Sequence, residues 1–127
     1  MPDLGAALTG RCILVVEDEY LIAMQVKRWL LAAGAEVIGP VPIVEQALDL
    51  IEDRCPDQAV LDINLGDGAT SYPVADALAA LGVSYLFATG DVRPAHTCLH
   101  RQRPRLAKPF DQSDLVQAVA NLAPRAR

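Results

Sequence analysis

The stretch "QAVLDINLGDG", Gln58 to Gly68, begins as an apolar run and ends on a carboxylate, Asp62, followed by turn residues. Apolar side chains on consecutive positions, rather than on alternate ones, mark a strand covered on both faces, as in a parallel sheet flanked by helices. Taken alone the terminal acid is ordinary, because strands often pass into loops through Asp and "GDG" is common turn chemistry. Its meaning depends on what the other strands of the chain end on.

All but one of them end on polar groups as well. "CILVV" (Cys12–Val16) is another continuous apolar run, followed at once by Glu17 and Asp18. "AEVIG" (Ala35–Gly39) reads as a short strand, "SYLFAT" (Ser84–Thr89) closes on Thr89, and "RLAKPF" (Arg105–Phe110) carries Lys108. Helical spacing fills the intervals. Ile22, Val26, Trp29, Leu30 and Ala33 form one stripe, ended by Gly34, and Val44, Ala47, Leu48 and Ile51 form the next, closed by Pro56. Ser71 and Pro73 open a third helix with Val74, Leu78 and Leu81 inward and Gly82 at its end, and Asp111 caps a last one with Leu115, Ala118, Val119 and Leu122. Between Asp91 and Arg105 the pattern weakens, and Pro94 and Pro104 predict a fourth helix that is short or irregular. Five strands alternating with helices predict an α/β domain with a doubly wound, five-stranded parallel sheet and helices on both faces.

The totals agree with one such unit. The chain has 127 residues, of which 52% are hydrophobic and 21% charged, a balance that suits a packed globular domain and predicts no membrane span. Residues 1–10 read as a flexible lead-in, 11–123 as the domain and 124–127 as a tail, with no output domain expected. A net charge of -5 argues against direct DNA binding. Cys12, Cys55 and Cys98 are odd in number and widely spaced, which suits reduced thiols and a cytoplasmic location rather than a disulfide framework. His96 and His100 stand four apart but lack a third ligand nearby, so a solvated pair is the simpler reading.

In an open α/β sheet the working crevice lies beyond the carboxyl ends of the strands. That rule gathers Glu17, Asp18, Asp62, Thr89 and Lys108 on one rim. Clustered carboxylates repel, two unit charges 4 Å apart costing roughly 4 kcal/mol at an effective dielectric of 20. A hard divalent cation such as Mg²⁺ relieves this, with Lys108 supplying fixed positive charge opposite. Each residue also has a plainer role: Glu17 or Asp18 as a helix cap, Thr89 as a β-branched strand residue, Lys108 as a surface lysine.

"ILVVEDE", "VLDINLGDG", "FATG" and "AKPF", in this order and at these distances, resemble the receiver domain of two-component response regulators from Arg11 to Leu122. The likeness is greatest to the single-domain receivers of alphaproteobacteria. It implies the flavodoxin-like receiver fold and a phosphoprotein in which Asp62 takes a phosphoryl group from a sensor histidine kinase or a histidine phosphotransfer protein. It further implies that Asp18, Asp62 and the main-chain carbonyl of Asn64 hold Mg²⁺, with Glu17 acting through a water. Thr89 and Lys108 would contact the phosphoryl group, and the Lys108–Pro109 bond would be cis. Asn64 and Asp91 would tune hydrolysis of the aspartyl phosphate. Such a module catalyses only its own phosphorylation and dephosphorylation, and signals through a downstream protein as a monomer or weak homodimer.

The sequence departs from the family at Arg105, where a Tyr or Phe that turns inward with the threonine is usual. From Arg93 to Lys108 there is no acid, and Arg101, Arg103 and Arg105 form an expected switch and partner face. Three other readings share part of this pattern. A phosphate-independent pseudo-receiver normally lacks one of the acids, the threonine or the lysine, all of which are present. A magnesium-dependent phosphatase needs a second acid two residues after the nucleophile, where this chain has Asn64. A flavodoxin-like cofactor binder would need a Ser-, Thr- and Gly-rich phosphate loop after the first strand, and none is there.

Overall fold

The computed structural model describes residues 5–90 and 103–123. Its strands are β1 (Cys12–Val16), β2 (Glu36–Val41), β3 (Gln58–Leu61), β4 (Ser84–Thr89) and β5 (Arg105–Ala107), and its helices are α1 (Tyr20–Ala32), α2 (Val44–Arg54), α3 (Tyr72–Ala80) and α4 (Gln112–Ala120). The strands form one sheet in the order β2-β1-β3-β4-β5, and every neighbouring pair is parallel. The predicted irregular helix before β5 lies outside the described residues, as do His96, Cys98 and His100.

The consecutive apolar residues of the strands divide between two cores. Leu14, Val16, Leu61, Tyr85 and Phe87 pack under α2 and α3, whereas Ile13, Val15, Val60, Leu86 and Ala88 pack under α1 and α4. This alternation is why the central strands show no polar face: each side chain points to one of two buried layers. Each fully buried Leu or Ile contributes on the order of 2 kcal/mol through removal from water.

Three expectations change in detail. Strand β2 runs past Gly39 to Val41 and includes a cis Gly39–Pro40 bond, with a register shift opposite Leu14 and Val16. A proline is tolerated there because β2 is the edge strand and need not donate on its outer side. Leu81, expected on the inner stripe of α3, is 43% exposed, and Ala75 is buried instead. The helix ends at Ala80, so Leu81 falls at its C-cap rather than on the helical stripe.

The third change concerns the lead-in. Residues 5–10 are not loose: Leu8 is fully buried in the α1–α4 core, and its amide donates to the Ala33 carbonyl at 2.9 Å. Gly34 has φ +94, and a β-carbon built on it would lie 2.6 Å from Thr9 Oγ1, so the end of α1 is shaped to receive this segment. Leu8→Ala is therefore expected to destabilise the fold by about 2–4 kcal/mol in urea unfolding, the range for a buried leucine. A loss within error of zero would return residues 5–10 to a passive role.

Asp111 caps α4 as expected: its side chain accepts from the Asp114 amide at 2.8 Å, and Asp114 reciprocates at the Asp111 amide at 3.3 Å. This capping box starts α4 after a four-residue connection from β5, and Lys108 is the first residue of that connection, at the carboxyl ends of the strands.

Candidate functional site

The end of β1 delivers Glu17 and Asp18, and the end of β3 delivers Asp62. The Asp62 amide still donates to the Val16 carbonyl at 2.8 Å, so the acid is held in register by backbone pairing one residue beyond its strand. Glu17, Asp18 and Asp62 each offer a carboxylate oxygen within 4.8 Å of the others. Asp62 and Glu17 are buried, at 7% and 5% exposure, while Asp18 is exposed at the mouth. From the other side, Lys108 Nζ lies 2.8 Å from Glu17 Oε2 and 3.6 Å from Asp62 Oδ1. The Lys108 amide donates to the Thr89 carbonyl at 3.0 Å, and the following Lys108–Pro109 bond is cis.

These groups border an open cavity of about 510 Å³ lined by Asp18, Glu19, Asp62, Asn64, Gly66, Thr89, Gly90 and Lys108. Gly66, with φ +85, lies beside Asp18: a β-carbon there would make ordinary contact with Asp18 Oδ2 at 3.5 Å. The sequence reading did not single out Glu19 or Gly66. Glu19 was visible as the third acid of "EDE", but its use depends on the turn into α1: Glu19 is the N-cap residue, and its amide donates to Glu17 Oε1 at 3.2 Å. The plainer expectation that Glu17 or Asp18 caps α1 therefore does not hold.

The electrostatics follow from this packing. Burial, then the Glu17 charge and hydrogen bonds shared with Glu17 and Asp18, push the Asp62 carboxyl up to about 8, and Lys108 opposes them only in part. Burial pulls Lys108 down, but the hydrogen bond and charge of Glu17, with Asp62 and Glu19 behind, hold its ammonium above the ordinary lysine range. Three carboxylate oxygens within 4.8 Å of one another repel when ionised, and a cation among them relieves that repulsion. The donors are hard and anionic, and one is solvent-facing, which fits a cation that keeps waters.

Of the other candidates, Asn64 is exposed on the cavity wall and Thr89 is buried at its floor. Arg103 and Arg105 do not line the cavity. The Arg103 guanidinium lies 4.8 Å over the Tyr85 ring and that of Arg105 6.0 Å over Phe87, its register partner in β4. Phe87 also meets Tyr72 and Tyr85 edge-on, at 5.9 and 5.6 Å, so Arg105 covers an aromatic cluster where the family usually has a ring. Asp91 and Arg101 lie outside the described residues.

No protein-family model matches the chain. Among curated proteins it is similar to the transcriptional regulatory protein PdtaR of Mycobacterium tuberculosis, at 30% identity over 133 residues, which covers 98% of this chain and spans 62% of that relative's length. Among solved structures it is similar to SdrG from Sphingomonas melonis Fr1, with 43% identity and a TM-score of 0.76, covering 91% of this chain and 96% of that one. SdrG has also been solved in a BeF3-activated conformation, which superposes with a TM-score of 0.73 at 40% identity over 94% of this chain and 97% of that one. The response regulator PhyR from Brucella abortus superposes with a TM-score of 0.73 at 27% identity, over 91% of this chain and 48% of that one. Among the described residues no helix is long and apolar enough to cross a membrane.

Proposed function

The chain belongs to the receiver domains of response regulators, and from that premise we propose that Asp62 accepts a phosphoryl group from a phosphohistidine of a sensor histidine kinase or histidine phosphotransfer protein. The observation that carries this reading is the meeting of three carboxylates within 4.8 Å, with the Lys108 ammonium 3.6 Å from the buried acid. The BeF3-activated form of SdrG supports it by similarity. The transfer forms a bond from an Asp62 oxygen to phosphorus as the phosphorus–nitrogen bond of the donor breaks, its electron pair leaving with the imidazole.

Asp18, Asp62 and the Asn64 carbonyl would hold Mg²⁺, with Glu17 near it. When bound there, the ion supplies Lewis-acid charge to the phosphoryl oxygens. Asp62 is the nucleophile, its carboxylate facing the open cavity from which the phosphodonor arrives. Lys108 neutralises charge on the incoming phosphoryl oxygens, and Thr89, at the cavity floor, offers a hydroxyl to one of them. The chain itself turns over no other substrate in this reading. It acts as a cytoplasmic signalling protein through a downstream partner, whose acidic patch meets the basic stretch containing Arg101, Arg103 and Arg105.

The test is mass spectrometry after incubation with acetyl phosphate and Mg²⁺. One added phosphoryl group, mapped to Asp62, is expected; no uptake, or uptake elsewhere, overturns the proposal and favours a phosphate-independent binding role. The signal should also be brief. Asn64 lies exposed on the cavity wall and Gly90 adds no side chain, so water can reach the aspartyl phosphate. We expect decay within seconds to minutes, and a several-fold longer lifetime in Asn64→Leu, where an apolar side chain obstructs that approach. Equal decay rates would remove Asn64 from control of hydrolysis.

A further inference from the structure

Glu17 stands apart from the other two acids. Both of its carboxylate oxygens are engaged, Oε2 with Lys108 Nζ at 2.8 Å and Oε1 with the Glu19 amide at 3.2 Å. Its side chain is only 4% exposed, and it does not line the cavity that Asp18 and Asp62 face. The 3.6 Å from Lys108 Nζ to Asp62 Oδ1 is beyond the reach of a charge-assisted hydrogen bond. The ammonium is thus bonded to Glu17 and only adjacent to the phosphoacceptor.

We infer that Glu17 is a positioning residue that holds the Lys108 ammonium off Asp62 and so keeps the Asp62 carboxylate open to a divalent cation. This rests on the proposed phosphoacceptor site and divides the labour within it. An ammonium and a divalent cation compete for the same carboxylate, because each is attracted to it and they repel one another. Without charge on residue 17, Asp62 becomes the nearest anion to Lys108, the ammonium closes the 3.6 Å gap, and cation binding weakens. A Glu17 that served the cation directly would matter equally with or without Lys108.

A double-mutant cycle on Mg²⁺ affinity, measured by calorimetry without any phosphodonor, separates the two roles. Glu17→Gln is expected to weaken binding about tenfold in the wild-type background but less than about threefold in Lys108→Met, the difference being the coupling between the two residues. Lys108→Met alone is expected to bind Mg²⁺ more tightly than wild type. Equal losses from Glu17→Gln in both backgrounds make Glu17 a ligand and overturn the inference, as does a Lys108→Met that binds no tighter. A second arm needs no metal: with chelator present, the ¹⁵N resonance of the Lys108 ammonium should shift in Glu17→Gln and far less in Asp62→Asn, and the reverse order overturns the inference. Should the wild type bind no Mg²⁺, the proposed cation site fails, and the ammonium spectra then decide the role of Glu17 on their own.

Discussion

Asp62→Asn is expected to abolish phosphoryl uptake and, at the same time, to make the protein more stable. The loss is complete because an amide cannot form the acyl phosphate. The gain follows from the crowding of three carboxylates within 4.8 Å, two of them buried. With its carboxyl pushed up to about 8, Asp62 holds a proton in the folded chain that the unfolded chain releases near pH 4. The folded state therefore binds more protons across that window, and stability contributed by this group falls as pH rises from about 4 to about 8. Solvent at the cavity mouth and the Lys108 charge moderate the cost, which we place at about 2 kcal/mol above pH 8. Urea unfolding with chelator should show wild type losing stability between pH 5 and pH 8 relative to Asp62→Asn, the variant being the more stable at pH 8. Parallel profiles, or a variant weaker than wild type at pH 8, would contradict the burial and repulsion at this site.

The second large effect is expected from Asp18→Ala. Asp18 is the exposed acid of the cluster, within reach of Glu17 and Asp62 and against the Gly66 loop, so its removal leaves the buried pair without the oxygen that faces arriving ions. A ligand that binds only the folded state stabilises it by RT ln(1 + [L]/Kd), about 2.7 kcal/mol at a hundredfold excess over Kd. Wild type should gain this amount with Mg²⁺, and Asp18→Ala should gain nothing and take no phosphoryl group from acetyl phosphate. Thermal unfolding with and without Mg²⁺ checks the first part and mass spectrometry the second. A variant that keeps both responses would place the cation elsewhere.

Most of the site was legible because its residues punctuate the strands. Glu17, Asp18, Asp62 and Thr89 each follow or end an apolar run, and a doubly wound topology must bring such ends to one rim. Lys108 was legible through the short run before it and the capping signal of Asp111 after it. What could not be read is how the charges pair. The sequence placed Lys108 opposite the acids as a fixed positive charge, and only the folded chain shows that its partner is Glu17, whose other oxygen accepts from the Glu19 amide. Arg105 was visible as a departure, but its place over Phe87 depends on the register of β5 with β4.

The sequence by itself determined the fold class, the order of elements and the identity of the rim residues, because continuous apolar runs and helical stripes are local patterns that few architectures satisfy together. Tertiary structure alone decided that Leu8 joins the core, that β2 extends through Pro40 at the sheet edge, and that Leu81 is left outside. Each depends on which neighbouring surface is within reach, a non-local quantity that no window of sequence contains. The same holds for the Asp62 carboxyl, whose resistance to ionisation comes from burial and from Glu17, forty-odd residues away along the chain but beside it in space.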